Sequence, residues 1–83
     1  MRGVMPGRTH QPDGADVMIK AALRVAGREL PVTIMHMSQH GCKIRCLHML
    51  PIGETVELTI PAFQPNLACV RWSLPGIAGL RFV

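Results

Sequence analysis

His36-Met37-Ser38-Gln39-His40-Gly41 stands between two β-prone runs, Leu30-Pro31-Val32-Thr33-Ile34-Met35 before it and Cys42-Lys43-Ile44-Arg45-Cys46 after it. Ser38 can bond its neighbouring backbone, and Gly41 can supply the positive φ that a sharp reversal demands. The stretch therefore predicts a structured corner between two strands. Upstream, Val17, Ile19, Ala21, Leu23 and Val25 alternate with Met18, Lys20, Ala22 and Arg24. That period of two is the mark of a half-buried strand. Ala26-Gly27-Arg28-Glu29 then predicts a hairpin turn into a second strand over residues 29–37. The second strand is apolar on both sides, with Val32 and Ile34 on one and Met35 and Met37 on the other, so alternation leaves its register open.

Downstream of the corner, Cys42, Ile44 and Cys46 share one face and Lys43 and Arg45 the other. Pro51 and Gly53 make residues 47–53 a loop, and over residues 54–60 Val56, Leu58 and Ile60 point inward against Thr55, Glu57 and Thr59. After a turn at Pro61, Pro65 and Asn66, the alternation assigns Ala68, Val70 and Trp72 inward and Cys69, Arg71 and Ser73 outward. Pro75-Gly76 turns the chain into a last strand carrying Ala78, Leu80 and Phe82. Six short strands separated by Gly/Pro turns, with no helical period, predict an all-β fold, a small six-stranded antiparallel barrel or a sandwich. Closure would remove edges that so short a chain has little else to cover.

Residues 1–16 carry Gly3, Pro6, Gly7, Pro12 and Gly14 among Arg2, Arg8, Asp13 and Asp16, with no apolar period. They are expected to form a flexible arm ahead of one domain over residues 17–83. The chain is 83 residues long and 48% hydrophobic, enough for one modest core. It has no apolar run near the roughly 18 residues of a membrane span, and its first ten residues lack a signal-peptide core. Cys42, Cys46 and Cys69 are odd in number and irregularly spaced, which fits core thiols in a reducing compartment better than a disulfide framework. A cytoplasmic protein is expected. A net charge of +4 favours anionic partners.

Five stretches in order resemble the PilZ domain of bacteria. They are Ser38-x-x-Gly41, Gly41-Cys42-x-Ile44, Leu50-Pro51-x-Gly53-Glu54-x-Val56-x-Leu58, Ala68-x-Val70-x-Trp72 and Ala78-Gly79-Leu80-x-Phe82. The resemblance covers residues 17–83 and implies a six-stranded antiparallel barrel that receives the second messenger cyclic di-GMP. The family often adds a C-terminal helix. This chain stops at Val83, so the expectation is a barrel without that helix, one end open or covered by a partner or a second copy in a homodimer.

In the family the ligand rests on Arg-x-x-x-Arg in the arm and on Asp/Asn-x-Ser-x-x-Gly at the corner. Guanidinium groups pair with phosphate oxygens and stack on bases, while the corner offers acceptors to guanine. Carried over, the ligand-binding residues here are Arg8, His36, Ser38 and Gly41. Two departures stand out. His36 replaces the acid or amide, and Arg2 and Arg8 do not have the three-residue gap. Arg24 and Arg28 do, but they fall at the first hairpin. Charge-assisted bonds are worth about 1.5–3 kcal/mol each, so losing an Arg and the acid together would cost on the order of 3–5 kcal/mol, turning a micromolar receptor into a millimolar one. Two readings follow from the resemblance: a weak or non-canonical cyclic di-GMP receptor, or a nucleotide-independent adaptor for a partner protein of a bacterial signalling or motility system. Neither requires a cofactor.

Other constellations carry less. His36, His40, Cys42, Cys46 and His48 have formal zinc spacings, but Cys42 and Cys46 on one strand lie about 13 Å apart, too far to share an ion. No metal site is expected. The carboxylates Asp13, Asp16, Glu29, Glu54 and Glu57 form no acid–base pair, so no enzyme and no catalytic residues are expected. A nucleic-acid-binding barrel would draw on Lys20, Arg24, Lys43 and Arg45. Against it, Phe63, Trp72 and Phe82 are the only aromatics, at least two of them in strands that look buried, and no DNA partner is expected. Met35, Met37 and Met49 fit an adaptable docking surface or core filler.

Overall fold

Strand-forming alternation carries the chain through six strands in a computed structural model that describes residues 14–83. They are β1 (Ala15–Val25), β2 (Arg28–Met37), β3 (Gly41–Cys46), β4 (Thr55–Thr59), β5 (Asn66–Leu74) and β6 (Gly76–Phe82). The sheet closes as a barrel in the order β1-β2-β3-β6-β5-β4, every neighbour antiparallel. The expected all-β barrel is thus observed, with the first strand starting at Ala15, two residues early. Most of the predicted arm, including Arg8, lies outside the described residues.

Turn chemistry fixes the hairpins. Ala26 and Gly27 both take positive φ, 50° and 80°, between the paired residues Val25 and Arg28. That is the geometry of a two-residue turn whose twist matches its strands. Pro75-Gly76 joins Leu74 to its partner Ile77 with Gly76 at φ 89°, as a type II turn requires.

Inward residues from all six strands meet in one core. Leu23, Ile34, Ile44, Val56, Leu58 and Val70 are its largest fully buried side chains. Cys42 and Cys46 lie in it as free thiols, and burial pushes the Cys42 thiol up to about 11. Leu50 is also buried, although it belongs to the loop between β3 and β4. Its N–H donates to Ser73 Oγ at 2.9 Å, which pins the loop to β5.

Bulges decide what alternation alone left open. In β2 the register against β3 slips at Met35: Ile34 faces Ile44, while His36 faces Lys43. One extra residue reverses the facing of everything beyond it. Ile34 therefore points in, Met37 packs against the core, and His36 between them turns to the outer surface. In β5 a slip at Arg71 does the same. Val70 is opposite Leu80 and fully buried, but Trp72 is opposite Gly79 and 38% exposed. The inward placement expected for Trp72 is corrected by that bulge. Phe63 is exposed as well, so two of the three aromatics face solvent.

Candidate functional site

The corner between β2 and β3 is built around one hydroxyl. Ser38 Oγ accepts from the N–H groups of His40, at 3.1 Å, and Gly41, at 3.3 Å, and donates to the Gly41 carbonyl at 3.3 Å. The Ser38 N–H closes the turn onto the same carbonyl at 2.9 Å. Serine is favoured here because a short hydroxyl side chain can stand in for a backbone partner in a tight reversal. The Phe82 N–H donates to the His40 carbonyl at 2.8 Å and ties the corner to β6.

Gly41 serves a purpose other than the one expected of it. Its φ is not among the positive values, which belong to Gly27, Gly53 and Gly76. A Cβ at Gly41 would instead overlap the Leu80 carbonyl oxygen and stand 3.0 Å from Arg81 Cα. The missing side chain lets β3 run close against β6, a demand of packing rather than of turning.

A groove of about 400 Å³ opens on the outer surface beside this corner, lined by His36, Ser38 and Gly41 together with Lys43, Arg71, Trp72 and Arg81. Its size falls within the roughly 300–1,000 Å³ of small-molecule sites. Three of the four residues expected to bind ligand thus line one groove, and the fourth, Arg8, lies outside the described residues. Alternation predicted outward side chains for Lys43 and Arg71 without giving them a site, and the β5 bulge hid Trp72.

The groove's electrostatics follow from register. Lys43 is opposite Gly79 and Arg81 opposite Gly41, so cations from β3 and β6 flank the corner, and Arg71 joins them from the β5 bulge. None of the three meets a carboxylate among the described residues. Several like charges in one concavity focus potential on an anion, the guanidinium forks giving directed bonds and the ammonium a point charge. The Trp72 indole lies over Gly79, where a Cβ would overlap its Nε1 and Cε2. A glycine beneath a partly exposed ring makes a flat apolar platform beside the cations.

Arg24 and Arg28 sit at the first hairpin, the far end of β1 and β2 from His36. Arg24 instead pairs with Glu57 at 3.8 Å. Their letters match the family's arm motif, but their position does not. Among the described residues, no three His, Cys, Asp or Glu side chains gather in a way that could hold a metal ion. No helix among them is long and apolar enough to cross a membrane.

Residues 7–83 match the sequence profile of the PilZ domain. No curated protein matches the chain.

Proposed function

The chain belongs to the PilZ domain family, and from that premise we propose that it is a non-enzymatic receptor for cyclic di-GMP that binds on the outer face of the barrel. One observation carries the reading: a single groove gathers His36, Ser38 and Gly41 with three cations and an indole. A cyclic dinucleotide presents two phosphate charges and two flat bases. Lys43, Arg71 and Arg81 match the phosphates, and Trp72 matches a base, whose stacking on an aromatic ring is worth about 1–3 kcal/mol. These contacts offset the arginine gap that differs from the family's arm motif. The free cysteines Cys42, Cys46 and Cys69 fit a cytoplasmic setting, where such thiols stay reduced.

Calorimetric titration with cyclic di-GMP, read beside amide shifts by NMR, tests this. Saturable binding below about 1 mM is expected, with shifts at Ser38, Gly41 and the Trp72 indole N–H. Titration to millimolar ligand without movement at those positions refutes it.

A second reading, the nucleotide-independent adaptor, draws on a different face. Leu47, Met49 and Ile52 in the β3–β4 loop and Leu74 at the end of β5 are all exposed, and Met49 Sδ lies 4.0 Å from Ser73 Oγ, next to Leu74. Exposed apolar side chains in one region mark interaction surfaces. Under this reading, replacing Leu47 and Ile52 by Ser abolishes partner capture, and cyclic di-GMP leaves capture unchanged.

A further inference from the structure

His36 is the least expected residue at the corner, since the family carries an acid or amide there. An acid nevertheless stands beside it. Asp16 is the direct cross-strand partner of His36, with Oδ1 3.1 Å from Nδ1. A carboxylate oxygen accepts, so Nδ1 is the donor in this contact. Nε2 lies close to the chain: a Cβ at Gly14 would overlap His36 Nε2 and Cε1. Nδ1 is therefore engaged, and Nε2 lies beside Gly14. The Asp16 side chain is 97% exposed, with Oδ1 engaged and its second oxygen open.

The juxtaposition is produced by a bulge. Counting back from the paired residues Ile19 and Ile34 in unbroken register would set Asp16 opposite Met37, but the extra residue in β1 at Val17-Met18 sets it opposite His36. The carboxylate therefore sits one strand over from the family's position, at the same end of the barrel and against a residue that lines the groove.

Resting on the receptor reading above, we propose that Asp16 is the guanine-specifying residue of this domain and that His36 is its positioning residue. Guanine presents two adjacent donors, N1–H and the 2-amino group, which a carboxylate can accept together. Adenine presents a lone pair at N1 and no 2-amino group, so the same carboxylate finds no such pair of donors there. The relocated acid thus selects the base, while Lys43, Arg71 and Arg81 hold phosphates of any cyclic dinucleotide.

The test titrates the full chain, Asp16→Ala and His36→Ala with cyclic di-GMP and with cyclic di-AMP, alongside ring-nitrogen NMR of His36. The wild type is expected to prefer the guanine ligand. Asp16→Ala should weaken cyclic di-GMP binding by about tenfold or more, leave cyclic di-AMP within about twofold, and move the His36 Nδ1 signal. His36→Ala should lose part of the same preference, because Asp16 remains but is no longer oriented. Wild-type binding with an unchanged guanine preference in Asp16→Ala overturns the assignment and leaves the receptor reading intact. Equal losses for both ligands overturn it too, since Asp16 would then shape the groove rather than read a base. No binding of either dinucleotide by the wild type sinks the receptor reading itself, and the role of Asp16 with it.

Discussion

Replacing Gly41 by Ala separates two physical roles for one residue. If Gly41 were a turn glycine at positive φ, Asn would be the best substitute, because Asn visits the left-handed region more readily than other side chains. In the structure its φ is ordinary, and the atoms a Cβ would meet are backbone: the Leu80 carbonyl oxygen, Leu80 C at 3.1 Å and Arg81 Cα at 3.0 Å. Backbone cannot rotate aside, so β3 and β6 must separate locally. Forcing an extra methyl into packed structure costs about 1–3 kcal/mol. Removing glycine from the unfolded chain returns about 0.4–1 kcal/mol, which leaves a net loss of roughly 1–2 kcal/mol. For a domain of this size that lowers the thermal midpoint by roughly 5–15 °C. Circular dichroism melts of Gly41→Ala and Gly41→Asn measure it, with Asn expected to be at least as harmful as Ala. An Ala variant as stable as the wild type, or an Asn variant better than Ala, would refute the close-approach argument.

Trp72 is the sole tryptophan, so its fluorescence should change on addition of cyclic di-GMP, and Trp72→Ala should weaken binding by about tenfold with little loss of stability, as judged by titration and melting together. Pro12→Arg gives the family's arm spacing with Arg8 and should tighten cyclic di-GMP about tenfold in calorimetry. Iodoacetamide at pH 8 should modify Cys69 before Cys42 in mass spectra, because burial holds the Cys42 thiol near 11. The unfolded chain's thiol ionises near 9.0 and the folded one near 11, so between those values the unfolded state gains the thiolate first and stability falls as pH rises. Melts from pH 8 to pH 11 should show that decline, and Cys42→Ala should lessen it.

What could be read from the chain alone depended on where register is unbroken. Simple alternation points Cys42, Ile44 and Cys46, and Val56, Leu58 and Ile60, inward, and they are buried, because β3 and β4 run without interruption. Alternation puts Trp72 on the wrong face because nothing local announces the extra residue at Arg71, and the two-sided apolar pattern of β2 makes sense only with the slip at Met35. The corner was legible, since Ser38 bonds its own neighbours. The cations around it were not, because Lys43, Arg71 and Arg81 converge through pairing between strands distant in sequence. Asp16 was invisible for both reasons at once: a non-local partner, reached through a bulge.

The uneven lengths of the first and fourth strands bear on how this domain behaves at high concentration. Among the described residues β1 pairs with β4 only through Ala22, Leu23 and Arg24, so its first half outruns its neighbour on that side. Such a rim is a template on which a second chain could grow a ribbon. Here the rim is interrupted by a bulge and bears Asp16 and Lys20, three hindrances within a few residues. The irregularity that brings an acid to His36 is therefore also one of the features that make this rim a poor template for a second strand.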